Sequence, residues 1–247
     1  MEQPIDKKLR WYQTVWGILL IFSSILVLSV FFALLLLTIN FWWQIKQGHG
    51  EELHNIFYGD ATGTELVDID QKRAEIEDAS DPYLGNSNAE LVIVEFVDYQ
   101  CPYCREFTQT LHRLNSEFGD KIKIIIRDFP FESIHPGTDK IAQFVNCAHK
   151  QDKFLSAHDL VFLMQDEIPT DPSDEYFYDL GDDIGISVEE LSACLNATET
   201  VLEISEDFDV GYRYQVEGTP SFFVNGELVE GAIPFEVWQG FIEDFFQ

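Results

Sequence analysis

Apolar residues are arranged along this chain in three different ways, and each arrangement predicts a different element. Over residues 15–39 the run is nearly unbroken for 25 positions. As a helix rising about 1.5 Å per residue it would reach roughly 37 Å, enough to cross a hydrocarbon core of about 30 Å with some tilt. Shorter β-branched runs at Leu91–Val97 and 121–129, the second closed by Pro130, predict buried strands. Ser221–Val224 and 227–231 flank Asn225-Gly226, a strong hairpin signal. Pro234 then opens a helical period in which Phe235, Val237, Trp238, Phe241, Ile242 and Phe245 share a face. Between the two groups of strands, Ile141, Phe144, Val145, Phe154, Leu160, Val161 and Phe162 also recur at helical spacing. The outline is β-α-β, a long helical gap, then β-β-α, which predicts an α/β fold.

The first strand leads through a three-residue turn into Cys101-Pro102-Tyr103-Cys104, with helix-compatible sequence behind it. Two thiols are thereby predicted at a helix start, where unpaired backbone N–H groups and the positive end of the helix dipole favour a thiolate at Cys101. Pro102 suits the first helical position, since its missing N–H would have no intrahelical partner there. Cys104, one turn on, can reach back and close a small disulfide. Zinc and a purely structural disulfide are the competing explanations of such a pair. Zinc wants a second pair or suitably spaced histidines. Cys147 and Cys194 stand alone, and the six histidines form no ligand-spaced cluster. A loop as short as 101–104 would constrain the unfolded chain little. A dithiol redox centre is therefore the favoured reading, with no metal.

Composition and charge add a place. Lys7, Lys8 and Arg10 precede the long apolar run, and no charged residue follows until Lys46. Trp11, Tyr12 and Trp16 flank one end of the run and Phe41, Trp42 and Trp43 the other, as expected of rings at the two membrane interfaces. The positive-inside tendency leaves the N-terminal tail in the cytoplasm and the rest outside. A cleaved signal peptide, the alternative, would carry a shorter apolar region and a small-residue cleavage site. The whole chain holds 15 Lys and Arg against 44 Asp and Glu, a net charge of −29. Setting aside the three basic and two acidic residues ahead of Lys46 leaves 12 against 42. Such a surface repels nucleic acid and anionic lipid. The expected organisation is a tail at 1–14, a membrane anchor at 15–43, a polar acidic tether at 44–81 with a short helix around 64–78, and a folded domain at 82–247.

Four stretches, VEFVDYQCPYC, IIIRDFPFESIHP, CAHKQDKFLSAHDLVF and EGTPSFFVNG, carry a resemblance. From about Asp81 onward, some two thirds of its length, the chain resembles the DsbA-like thiol–disulfide oxidoreductases, thioredoxin folds with a helical insertion, here about 135–217. The resemblance implies a cis peptide at Thr219-Pro220 lying against the cysteine pair, with the backbone of Thr219 free to hydrogen-bond an incoming peptide. Pro102 and Tyr103 join Thr219 and Pro220 as implied substrate contacts. It implies further that Glu95, six residues before Cys101, is a buried acid passing protons to or from Cys104; a carboxylate that reaches solvent or an ion pair is the other reading. Asp98, closer still, could oppose a thiolate at Cys101 by like charge. Cys147 and Cys194 read as a structural disulfide, given export, or as two buried free thiols.

The implied activity is formation of disulfides in reduced exported proteins through a mixed disulfide at Cys101, with no cofactor beyond the Cys101–Cys104 pair and with a membrane partner to reoxidise it. Pro-Tyr replaces the Pro-His of the best-known oxidases of that family, which points to a milder oxidant. The alternatives are an isomerase or reductase using the same site, and a non-catalytic peptide-binding chaperone or assembly module that keeps the cysteines as a vestige.

Overall fold

A computed structural model of the chain describes residues 68–247 and, ahead of them, 31, 32, 35 and 36. The expected tail, and the anchor apart from those four residues, lie outside the described residues, as does the tether up to 67. Phe31, Phe32, Leu35 and Leu36 are helical and exposed. Among the described residues no helix is long and apolar enough to cross a membrane.

From Asp68 onward the chain forms helix α1 (Ile69–Ile76), strands β1 (Tyr83–Gly85) and β2 (Leu91–Val97), helix α2 (Pro102–Phe118) and strand β3 (Ile122–Asp128). Five helices follow: α3 (Thr138–His149), α4 (Phe154–Leu163), α5 (Asp174–Ile184), α6 (Val188–Leu195) and α7 (Thr198–Arg213). The chain closes with β4 (Ser221–Val224), β5 (Glu227–Glu230) and α8 (Phe235–Phe245). The five strands form one sheet in the order β1-β3-β2-β4-β5. β2 runs parallel to β3 and antiparallel to β4, so the strand that leads into the cysteines is central. All seven of its residues are buried, which is why it reads as a continuous apolar run rather than an alternating one.

Side chains on the sheet alternate between two cores. Leu91, Ile93 and Val97 of β2 face the larger one, with Phe107, Leu111 and Leu114 of α2, Trp238 and Ile242 of α8 and most of the apolar residues of α3–α6. Val92, Val94 and Phe96 face the smaller one, with Ile76, Phe129 and Phe223. Gly211 of α7 lies close over that side: a Cβ there would stand 2.6 Å from the Phe129 ring and 2.9 Å from Phe96. At the β4–β5 turn Asn225 and Gly226 both take positive φ, 47° and 92°, the conformation that a tight hairpin demands. The Asn225 side chain also accepts from the Val92 N–H at 2.9 Å, tying the hairpin to the central strand.

Two covalent or ionic ties hold the outlying parts. Cys147 of α3 and Cys194 of α6 are joined in a disulfide, 47 residues apart in sequence. Closing a loop of that size in the unfolded chain is worth about 4 kcal/mol in the chain-entropy account. Arg127 of β3, 3% exposed, bonds Asp207 of α7 through Nε at 2.8 Å. It also pairs with Asp81 at 3.1 Å, and donates to the carbonyls of Glu75 and Ile76 at 2.7 and 3.1 Å. One guanidinium thus binds the end of α1, the approach to β1 and the middle of α7. β1 itself was not foreseen; it is three residues long, too short for a period to show.

Replacing a buried ion by a neutral side chain leaves its partners charged and dry, at a cost of roughly 3–5 kcal/mol. Arg127→Met is therefore expected to lower the unfolding free energy by that amount in denaturant titration, and a loss below about 1 kcal/mol would show that the cluster holds nothing together.

Candidate active site

β2 ends one turn before the cysteines, and the turn is closed by the Cys101 N–H donating to the Asp98 carbonyl at 3.0 Å. Cys101 is the N-cap of α2, in extended conformation, and Pro102 is the first helical residue. The Cys101 carbonyl accepts from the Arg105 N–H at 3.2 Å, and also from the amide of Gln165 at 3.0 Å. Gln165 donates equally to the Tyr99 carbonyl. A residue just past α4 therefore clamps both sides of the turn. Nothing in the local pattern marks it, since it lies 64 positions along the chain in an ordinary polar stretch.

Both thiols are free and buried, Cys101 5% and Cys104 1% exposed, while Tyr103 between them is 60% exposed. Across from Cys101 the Thr219-Pro220 peptide is cis, and the Cys101 thiol donates to the Thr219 carbonyl at 3.2 Å. Pro220 has no N–H to offer, and Ser221 anchors the bend by donating its hydroxyl to the Gly218 carbonyl at 2.6 Å. Pro102, Tyr103, Thr219 and Pro220 thus gather around Cys101, whereas Cys147 and Cys194 belong to the insertion.

The two sulfurs ionise very differently. The Cys101 thiol is brought down to about 6, chiefly by a hydrogen bond from the Cys104 side chain, with the Thr219 side chain and the N–H groups of Cys104 and Tyr103 adding to it against the cost of burial. The Thr219 carbonyl that accepts from the neutral thiol works the other way, and the donors outweigh it. Cys104 is pushed well above the ordinary thiol range, first by burial, then by its bond to Cys101 and by charge on Cys101 and Glu95.

Glu95 sits on the face of β2 that carries Ile93 and Val97, between Ile126 and Phe222 of the neighbouring strands. It is 1% exposed, its Oε2 has no hydrogen-bond partner, and burial raises its pKa to about 8. A neutral carboxylic acid at neutral pH is the state this environment favours. Asp98 is occupied elsewhere. Its carboxylate accepts from the N–H groups of Gln100 and Phe131, the Thr138 hydroxyl and a ring nitrogen of His135, all within 3.0 Å. Among the described residues no group of three or more His, Cys, Asp or Glu side chains could hold a metal ion.

Residues 77–244 match the family model described as thioredoxin. The chain belongs to the thioredoxin family. The Na(+)/H(+) antiporter NhaA 1 of Mycobacterium sp. (strain KMS) is 30% identical over 158 residues, which make up 63% of this chain and 25% of that one. NhaA 1 of Salinispora arenicola is 27% identical over 181 residues, 73% of this chain and 26% of that one. The chain thus spans about a quarter of the length of these relatives. Among solved structures, the thiol-disulfide exchange protein alpha-DsbA2 of Wolbachia pipientis is similar with a TM-score of 0.63 and 25% identity, over 72% of this chain and 93% of that one. The catalytic domain of ScsC from Proteus mirabilis shares the fold, with a TM-score of 0.59 at 21% identity over 71% and 95% of the two chains.

Glu95 keeps its proton in the folded chain up to about pH 8 and loses it near pH 4.3 when unfolded. Between those values the unfolded state binds fewer protons, so stability falls as pH rises, and it falls no further above the upper value. Glu95→Gln should therefore match the parent in denaturant midpoint below about pH 4 and exceed it at pH 8. A difference independent of pH would show that the carboxyl is not protonated in the folded state.

Proposed function

We propose that this chain is an extracytoplasmic thiol–disulfide oxidoreductase that forms disulfides in exported proteins. The observation that carries the reading is the placement of Cys101 at the N-cap of α2, its thiol 3.2 Å from the Thr219 carbonyl, with Cys104 free and buried one turn behind it. In the oxidised enzyme Cys101 and Cys104 share a bond. A substrate thiolate attacks the Cys101 sulfur, a mixed disulfide forms, and Cys104 departs as the leaving group. Cys104 favours its protonated form, and the neutral Glu95 carboxyl supplies the proton. A second substrate thiolate then attacks the substrate sulfur of the mixed disulfide and expels Cys101 as thiolate. Two electrons have passed from the substrate dithiol to the enzyme dithiol, and the substrate leaves oxidised. If Cys104 attacks Cys101 first, the substrate returns reduced and nothing is gained.

With Cys101 engaged in a disulfide, the Thr219 carbonyl is freed from the thiol and accepts from the backbone of the incoming peptide. Pro102 and Tyr103 form the other lip. Stabilising the reduced enzyme makes its disulfide the stronger oxidant, and a Cys101 pKa of about 6, between about 7 in thioredoxin and about 3.5 in DsbA, supports a milder oxidant. Residues 15–39 supply a single membrane anchor, with the N-terminal tail in the cytoplasm and the dithiol on the other side. There a membrane partner reoxidises the pair and no further cofactor is required. The Wolbachia structure described as a thiol-disulfide exchange protein supports the chemistry, and the net charge of −29 supports a role away from nucleic acid.

The purified, oxidised chain is expected to introduce disulfides into a reduced, denatured protein while gaining two alkylatable thiols, at 101 and 104. Cys101→Ser should reduce this to background, Cys104→Ser should prevent turnover, and Glu95→Gln should slow the first exchange by roughly 10²-fold, the lower end for general acid–base catalysis. The reduction potential should lie between about −270 mV and about −120 mV, clear of the lower value. Oxidation that survives Cys101→Ser, or a potential at the lower value, would overturn the oxidase reading.

A further inference from the structure

Gln165, a side chain of the insertion, reaches the cysteine turn, and the exchange chemistry assigns it no part. It is half-buried, in a turn that closes tightly behind α4. Its own N–H donates to the Phe162 carbonyl at 3.5 Å, and the Met164 carbonyl accepts from the N–H groups of Glu167 and Ile168 at 2.7 and 3.1 Å. From this fixed base its amide nitrogen donates to the carbonyls of Tyr99 and Cys101, 3.0 Å from each. α4 also holds the Tyr99 ring, whose centre lies 5.3 Å from that of Phe162 and 6.0 Å from that of His158. The Gln100 N–H donates to the Asp98 carboxylate at 2.8 Å, so the peptide between Tyr99 and Gln100 is bonded at both ends.

Backbone polar groups in a buried turn must find partners, and each bond removes a direction in which the turn can rotate. Gln165 fixes two carbonyls on either side of Gln100, and with them the angle at which Cys101 enters α2. That angle matters to the sulfur, because the N–H groups of Tyr103 and Cys104 donate to it, and a hydrogen bond to a charged acceptor is strong only when it is well aimed. In the disulfide the same sulfur is uncharged and gains little from those donors. Loosening the turn therefore costs the reduced enzyme more than the oxidised one. A second contact joins the same two segments, Arg105 of α2 with Asp166 at 2.7 Å. Those side chains are 38% and 81% exposed, and a pair so wet holds little.

Resting on the oxidoreductase reading above, we propose that Gln165 is a positioning residue that sets the oxidising strength of the Cys101–Cys104 pair, by holding the turn so that the Cys101 sulfur faces the open N-terminal end of α2. It acts through the carbonyls of Tyr99 and Cys101 and takes no part in the exchange itself. The helical insertion thereby tunes a redox centre that the strands and α2 carry.

The test compares the full chain with Gln165→Met, which keeps the length of the side chain and removes both donors, at equilibrium with reduced and oxidised glutathione. In that equilibrium two glutathione thiols pass two electrons and two protons to the Cys101–Cys104 disulfide and leave as one glutathione disulfide. The constant for reduction of the enzyme disulfide should fall by about tenfold, the scale of a hydrogen bond lost from the reduced form, which for this couple makes the potential about 30 mV more negative. Alkylation of Cys101 should then require a higher pH. Asp166→Asn, which breaks the neighbouring pair, should leave both readings at the parent's values. Gln165→Asn, whose amide stops one methylene short of the carbonyls, should move them in the same direction as Gln165→Met. Parental readings in Gln165→Met, an equal shift in Asp166→Asn, or loss of the fold in both Gln165 variants would overturn the positioning role and leave the oxidoreductase reading intact. A parent chain that does not exchange with glutathione would overturn both.

Discussion

Two sulfurs one helical turn apart are held in opposite electrostatic surroundings, and the rest of the structure serves that difference. Cys101 occupies the N-cap of α2, where backbone N–H groups have no intrahelical partners and donate to a thiolate. Cys104 lies one turn deeper, 1% exposed, where ionisation is opposed by burial and by its bond to Cys101. The difference needs the helix to start at the right residue. Pro102 fixes the start, the Asp98 turn precedes it, and Gln165 clamps the turn from the insertion.

The sheet holds the second half of this arrangement. β2 is central, so the chain enters the cysteine turn from the most constrained strand, and β4 lies beside it in antiparallel register. That pairing brings Thr219 and Pro220, which precede β4, to the same end of the sheet as Cys101. Around this core the insertion is bound by the Cys147–Cys194 disulfide, and α1 by Arg127. The site is assembled from residues more than a hundred positions apart, and its geometry is only as firm as those ties.

Much of the frame was legible in the residues, for reasons of period and punctuation. β2 and β3 are unbroken β-branched runs, β4 and β5 meet at Asn225-Gly226, and α8 has an apolar face that opens at Pro234. The mixed α/β thioredoxin fold with a helical insertion follows from these signals together with the quoted resemblance. What was hidden depends on contacts that sequence does not encode locally. The three residues of β1 are too few for a pattern. Arg127 in IIIRDF gives no sign of binding α1 and α7 at once, and Gln165 gives no sign of reaching the cysteine turn. Asp98, marked in the sequence only by its proximity to Cys101, also binds Phe131, His135 and Thr138, contacts visible only once the chain is folded. Glu95 could be marked as unusual from its apolar setting, but only the structure leaves its Oε2 without a partner.

The fold separates the ionisation of two thiols one helical turn apart. Alkylation of the reduced full chain as a function of pH, with each cysteine followed by mass, tests it most directly. Cys101 should react with a midpoint near pH 6, while Cys104 stays protected well above the ordinary thiol range. If the two cysteines instead titrate together near the unperturbed value of about 8.5, the fold does not divide them and the account fails.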